Sequence, residues 1–153
     1  MIIETMRSGQ IGAVKDLLDC CFGVSAWSEE SIRSQLEKTD SVCTVAVDDD
    51  MIIGYLAFEA IADEGSIVEL AVHPEYRRQG IARKMVESAI DDNSIKEIFL
   101  EVRESNLPAI RLYESLSFTQ IGVRKAYYDH PKENALLYRL PLGKGAVEAS
   151  SRN

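Results

Sequence analysis

Cysteine is scarce in this chain and poorly spaced for chemistry. Cys20, Cys21 and Cys43 are an odd set with no C-x-x-C pair and no histidine pair nearby. Neither a disulfide framework nor a metal site is indicated, and small buried thiols are expected. Histidine is rarer still: His73 and His130 are the only two, each beside a proline at an expected loop, which favours structural or solvent-exposed roles over catalysis. Positive charge is also in deficit. Seventeen Lys and Arg against 25 Asp and Glu leave a net charge of −8, which argues against nucleic-acid or anionic-membrane partners and favours a cationic substrate. No apolar run approaches the ~20 residues a spanning helix needs. The start of the chain carries no signal-peptide apolar core, so a cytoplasmic protein is expected. Two common nucleotide fingerprints are missing as well: G-x-x-x-x-G-K-[ST] is absent, and no G-x-G-x-x-G follows a strand.

What remains is ordinary globular composition, with 46% hydrophobic and 27% charged residues in 153, enough for one domain around one core. Ile2 to Thr5 reads as a strand. Ile11, Val14, Leu17, Leu18 and Cys21 then recur at helical spacing after Ser8, a candidate N-cap. A second helix is expected from Ser28. The runs Val42 to Val47 and Met51 to Ala60, separated by Asp48-Asp49-Asp50, predict two antiparallel strands. Asp63-Glu64-Gly65 predicts a turn into a strand from Ser66 to Val72. A helix carrying Ile81, Met85, Val86, Ala89 and Ile90 follows. Then come a strand from Glu97 to Arg103, a helix from about Leu107 to Leu116, and strands near Thr119 to Tyr127 and Ala135 to Leu140. The reading is one mixed α/β domain over residues 1–142, with a mobile tail from Gly143 to Asn153.

The stretch Leu70-Ala71-Val72-His73-Pro74-Glu75-Tyr76-Arg77-Arg78-Gln79-Gly80-Ile81-Ala82 joins an apolar strand, a basic turn and a helix start. Backbone N–H groups at a helix N-terminus are unpaired and carry the positive end of the dipole, so this arrangement suits a diphosphate. Gly80 permits close approach, and Ala82 keeps the first turn uncrowded.

In Glu97 to Arg103, period two puts Phe99, Glu101 and Arg103 on one face and Ile98, Leu100 and Val102 on the other. A carboxylate on a mostly buried strand needs a partner or a function. Glu101 is either ion-paired with Arg103 or a general base with a raised pKa. Asn106 is a good N-cap for the next helix, with Pro108 tolerated in its first turn. Tyr113 lies seven residues on, almost two turns, which puts the two residues on one face about 10 Å apart.

The R-x-x-G-x-A spacing of Arg77, Gly80 and Ala82 resembles the acetyl-coenzyme A loop of the GCN5-related N-acetyltransferases (GNAT). Leu100-Glu101-Val102-Arg103, Ser105-Asn106, Ala109, Leu112-Tyr113, Phe118, Gly122-Val123-Arg124 and Tyr127-Tyr128 narrow the resemblance to the RimI-type ribosomal-protein alanine N-acetyltransferase branch. The resemblance implies a mostly antiparallel seven-stranded sheet with splayed fourth and fifth strands, flanked by four helices. It implies acetyl-CoA as cosubstrate and no metal. Leu70, Ala71 and Val72 would pair with pantetheine, Arg77 with Arg78, Gln79, Gly80, Ile81, Ala82 and Arg83 would cradle the pyrophosphate, and Asn106 would contact the cofactor arm. Glu101 would be the base and Tyr113 the acid, with Glu69 a rival base. Trp27, Tyr127, Tyr128 and Glu133 would line the acceptor site. Three positions depart from the family pattern: Ser117 and Ala82 stand where glycine is frequent, and Asn134 replaces an aspartate.

The acceptor implied is a protein N-terminus, that of ribosomal protein bS18, with a lysine or a small amine as the alternative. A non-catalytic acetyl-CoA-binding module is the alternative of another class. At pH 7 about 14% of an α-amine but only about 0.04% of a lysine is neutral, a gap of about 3.5 kcal/mol that favours the α-amine as nucleophile.

Overall fold

The computed structural model describes residues 1–91, 94–129 and 131–143. His130 and the tail beyond Gly143 lie outside these residues. The elements run β1 (Ile2–Thr5), α1 (Ile11–Phe22), α2 (Glu29–Glu37), β2 (Ser41–Asp48), β3 (Met51–Ile61), β4 (Glu64–Val72), α3 (Ile81–Ile90), β5 (Glu97–Arg103), α4 (Leu107–Ser115), β6 (Thr119–Tyr128) and β7 (Glu133–Pro141). The class is therefore the mixed α/β expected, with four helices and one seven-stranded sheet ordered β1-β2-β3-β4-β5-β7-β6.

Local chemistry explains most boundaries. Ser28 caps α2, its hydroxyl accepting Ser31 N–H at 3.1 Å, and Glu29 and Glu30 complement the dipole in the first turn. Asp49 and Asp50 have φ of 51° and 65°, the left-handed pair that a two-residue hairpin between β2 and β3 requires. Two boundaries differ from expectation. Ser8 opens a 3-10 turn rather than capping α1, because Gln10 reaches back to accept Arg7 N–H at 2.7 Å and delays the helix to Ile11. The turn before β4 is made at Ala62, with φ 55°, so the strand starts at Glu64 rather than Ser66.

β4 and β5 are parallel neighbours, a pairing that needs an intervening crossover, here α3. Their register runs from Glu64↔Glu97 to Ile67↔Leu100. It stops there, although β5 continues to Arg103 and β4 to Val72.

The chain forms two compact units, Met1–Glu59 with Val68–Asp91, and Ala60–Ile67 with the described residues from 94 on. In the first, Val14, Leu17 and Leu18 of α1 and Ile32 of α2 bury against Val45, Tyr55 and Ala71 of the sheet. α3 seats close to β3 at Gly54. A Cβ added there would stand 2.9 Å from Met85 Sδ and 3.0 Å from Ala46 Cβ, so a larger residue would require Met85 and the Ala46 backbone to give way. In the second unit, Ile98, Leu100 and Val102 alternate with half-buried Phe99, Glu101 and Arg103. The first three pair with Leu140, Tyr138 and Leu136 of β7.

Candidate active site

In the first unit the basic turn is built by two left-handed residues. Arg78 has φ 65° and Gly80 φ 76°, and the first intrahelical bond of α3 is Lys84 N–H to Gly80 O at 3.0 Å. The amides of Ile81 and Ala82 therefore have no partner inside the helix and open toward the turn. No atom lies within 4 Å of a Cβ built on Gly80. Its glycine is required by backbone conformation, not by crowding. A shallow pocket of about 160 Å³ beside the turn is lined by Tyr76, Gln79, Ile81 and Lys84 among others. Exposed backbone donors plus Arg78 and a nearby lysine form a donor set suited to a diphosphate. Arg77 is turned the other way: its Nε donates to Val72 O at 3.1 Å, bracing the loop onto β4.

The end of β4 is held from the outside. His73 N–H donates to Ile53 O on β3 at 2.8 Å. Because backbone polar groups alternate between strand edges, those of Leu70 and Val72 face the edge opposite β3. Val72 O accepts from both Arg77 and the Cys21 thiol, the latter at 3.3 Å. Burial raises the pKa of Cys21 while Arg77 pulls it down, so the thiol acts as a packed donor. Leu70 N–H donates to Glu69 Oε1 at 3.2 Å. The Glu69 pKa is pushed up to about 7, first by desolvation, with the Leu70 bond opposing. The residue keeps part of its surface accessible, but its carboxylate is crowded by protein atoms. His73 serves the turn, its Nδ1 accepting Glu75 N–H at 3.1 Å. Trp27 half-buries against the α1 core and borders a cavity of about 390 Å³ over α2, with Glu30, Ser31, Ser34, Gln35 and Lys38.

The second unit collects Glu101, Tyr127, Tyr128 and Glu133, but not in the pairing the sequence offered. Glu101 does not pair with Arg103; it lies 3.4 Å from Arg124 Nη1 of β6. The charge of Glu101 also raises the pKa of the Tyr127 phenol. Arg124 sits over the Tyr127 ring at 5.4 Å. Arg103 instead donates to Glu133 Oε2 at 3.1 Å, to Pro131 O and to Asp129 O, with its guanidinium 4.4 Å from the Tyr128 centroid. Glu133 Oε1 accepts Ser105 N–H at 2.9 Å; the Ser105 hydroxyl first, then this backbone bond and Arg103, hold its carboxyl below the usual range. Glu133 is thus fastened to the chain between β5 and α4. Arg124 was missed by sequence reasoning. Its backbone pairs with Ala135 of β7, which pairs in turn with Arg103 of β5.

Asn106 caps α4 as expected, its Oδ1 accepting Ala109 N–H at 3.3 Å. Tyr113, in the last turn, is 5% exposed and meets Phe118 edge-on. Asn134, the departure from the family's aspartate, accepts Ala126 N–H at 2.9 Å, satisfying a β6 bulge in which Ala126 has φ 53°. Among the described residues no group of three metal-ligating side chains is found, and no helix is long and apolar enough to cross a membrane.

Known proteins resemble this chain in sequence and in fold. The model of the acetyltransferase (GNAT) family matches residues 11–118. An N-alpha-acetyltransferase of Saccharolobus solfataricus is 38% identical over 114 residues, 64% of this chain and 68% of that protein. The [ribosomal protein bS18]-alanine N-acetyltransferase of Salmonella typhimurium is 34% identical over 122 residues, 76% of this chain and 81% of that protein. The crystal structure of the ribosomal-protein-S18-alanine N-acetyltransferase from Escherichia coli superposes with a TM-score of 0.86 at 27% identity, covering 94% of each chain. By sequence alignment the chain spans 60% of the length of the E. coli enzyme of that name. The chain is an N-acetyltransferase that belongs to the acetyltransferase (GNAT) family.

Proposed function

We propose that this enzyme acetylates the α-amine of a protein N-terminus in the cytoplasm, with the N-terminal alanine of ribosomal protein bS18 as acceptor. The observation that carries the donor half is the β4-turn-α3 unit, where left-handed Arg78 and Gly80 open the amides at the start of α3. The acceptor half rests on likeness to enzymes named for bS18 alanine.

In this reading the diphosphate of acetyl-CoA docks on the turn from Arg78 to Arg83, and its pantetheine arm takes the edge of Leu70 to Val72. Arg77 acts by bracing that edge. Asn106 steadies the arm. Acetyl-CoA supplies an activated thioester, so no covalent enzyme intermediate is needed. The neutral amine attacks the thioester carbonyl, and Val72 N–H stabilises the developing oxyanion. Glu101 takes the proton from the attacking nitrogen, directly or through water, while Tyr113 protonates the departing thiolate. Arg124 and Tyr127 orient the Glu101 carboxylate. Trp27, Tyr127 and Tyr128 face the acceptor peptide, and Glu133 fixes the hairpin that carries the two tyrosines.

The test is incubation with labelled acetyl-CoA and a panel comprising a bS18 N-terminal peptide, other N-terminal peptides, internal-lysine peptides and polyamines. Label on the bS18 peptide at its α-amine supports the proposal. Preferential labelling of lysine or a polyamine replaces the acceptor assignment, and cofactor binding without any turnover overturns it.

A further inference from the structure

The floor of the cavity over α2 accepts hydrogen bonds and gives none. Glu30, Ser34 and Lys38 follow one another at helical spacing and line it along about 12 Å of helix, with Gln35 in the adjoining row and Trp27 at the N-terminal end. Gln35 is the buried member of this lining, 5% exposed. Its Nε2 donates to Ser41 Oγ at 3.1 Å and to Glu59 Oε1 at 3.0 Å, which uses both amide hydrogens. The amide cannot turn over, because Oε1 would then meet the Glu59 carboxylate, acceptor against acceptor. Glu59 is kept charged by this arrangement: the Gln35 bond first, then Lys38, holds its carboxyl below the usual range.

That leaves Gln35 Oε1, which takes no hydrogen bond from the described residues. It is not sealed in, since Thr44 Oγ1 is the one buried side-chain polar atom among them that lacks a partner. The amide oxygen therefore keeps an opening, and the space that Gln35 lines is the cavity. The other lining groups have the same preference. Lys38, the one cation, is committed to Glu59 at 3.0 Å. Glu30 forms no ion pair with a described residue. An anion entering here would find serine hydroxyls but face a carboxylate and an amide oxygen. A cation would find both of those in its favour, and an indole beside them.

We propose that this cavity is a binding site for an alkyl ammonium group, its nitrogen donating to Gln35 Oε1, its charge facing Glu30 and its methylenes lying along Trp27. A volume of about 390 Å³ has room for a diamine or a lysine side chain. The net charge of −8 raises the local concentration of either. The inference goes beyond acetyl transfer: it needs neither acetyl-CoA nor Glu101. Two sources carry the group, a free polyamine and a lysine of a protein, and the cavity reads the chemistry they share.

Trp27 is the only tryptophan of the chain, so its fluorescence reports on this cavity. The full chain, without acetyl-CoA, is titrated with spermidine, with lysine blocked at its α-amine and carboxyl group, and with glutarate as the anionic control. A saturable change with spermidine or blocked lysine, and none with glutarate, is the expected result, and the tighter of the two amines identifies the source. Gln35→Met, which removes the amide oxygen, abolishes the change, with circular dichroism establishing that the variant is folded. Glu30→Gln, at an exposed position, tests the site independently of folding at Gln35 and weakens amine binding by about tenfold, the loss expected with a hydrogen-bonding charge. Glu101→Gln leaves amine binding unchanged. Absence of a saturable change with both amines, equal affinity of wild type and Glu30→Gln, or weakening by Glu101→Gln in place of Glu30→Gln overturns the inference.

Discussion

Phe118 is fastened to Tyr113 twice: its backbone N–H donates to Tyr113 O at 3.0 Å, and the two rings meet edge-on with centroids 5.7 Å apart. Together with Ser117 N–H to Glu114 O at 3.0 Å, this is a Schellman motif closing α4. The helix end that presents the proposed acid is thereby fixed by the turn after it. The residue that makes the turn is Ser117, with φ 75°.

That conformation costs a non-glycine residue about 1–2 kcal/mol, partly offset by the lower chain entropy of serine in the unfolded state. Ser117→Gly should therefore stabilise the protein by about 1 kcal/mol, a Tm rise of about 2–4 °C in thermal melts. Cofactor affinity should not move. An unchanged or lowered Tm would show that the serine side chain gives the turn something its backbone does not.

The role assignments separate by kinetics. Glu101→Gln keeps an oxygen for Arg124 but cannot accept a proton, so kcat should fall by about 10²–10⁴ while coenzyme A affinity holds. Tyr113→Phe preserves the edge-on contact with Phe118 and should also slow turnover. Wild-type kcat in both variants would remove them from the chemistry.

Glu133 should reveal itself in acid. Its folded pKa lies below its unfolded value because Ser105 and Arg103 hydrogen-bond the charged form, so its contribution to stability is present above about pH 4.3 and lost as pH falls through the folded pKa. Glu133→Gln, which cannot titrate, should melt below wild type at pH 6–7. The gap should close as the pH drops below about 4. A gap independent of pH would mean that hydrogen bonding alone, without charge, holds the hairpin.

Much of this was legible in the sequence where the signal is local. Ser28 and Asn106 cap helices because a short polar side chain reaches an amide three residues on, and that rule needs no tertiary knowledge. The alternation in Glu97–Arg103 likewise placed Glu101 and Arg103 on one face. Their partners were not legible. Which cation meets Glu101 depends on the register of β6 against β7 and of β7 against β5, set by bulges between Gln120 and Gly122 and between Arg124 and Tyr128. The bond from Cys21 to Val72 O spans 51 positions and follows only from how α1 docks. Glu69 was readable as a candidate base, but its hold on Leu70 N–H was not, because a side chain's return to the amide of the next residue leaves no pattern in the sequence.

Gly80 provides the sharpest test of the cofactor turn. Its φ of 76° lies in the left-handed region, while the space around a Cβ there is empty to 4 Å. Gly80→Ala therefore introduces no clash with its neighbours, and whatever it does acts through the backbone, at about 1–2 kcal/mol. If the chain keeps its path, the strain appears as lowered Tm with coenzyme A affinity retained. If the turn relaxes, Arg78 and the amides of Ile81 and Ala82 swing out of register, and affinity falls while Tm is nearly kept. The αL geometry at two positions, Arg78 and Gly80, favours the second outcome, because a turn already strained at Arg78 can relax at both residues together. Calorimetry with coenzyme A beside a thermal melt distinguishes the two, and a variant unchanged in both would show that the left-handed turn has no part in holding the diphosphate.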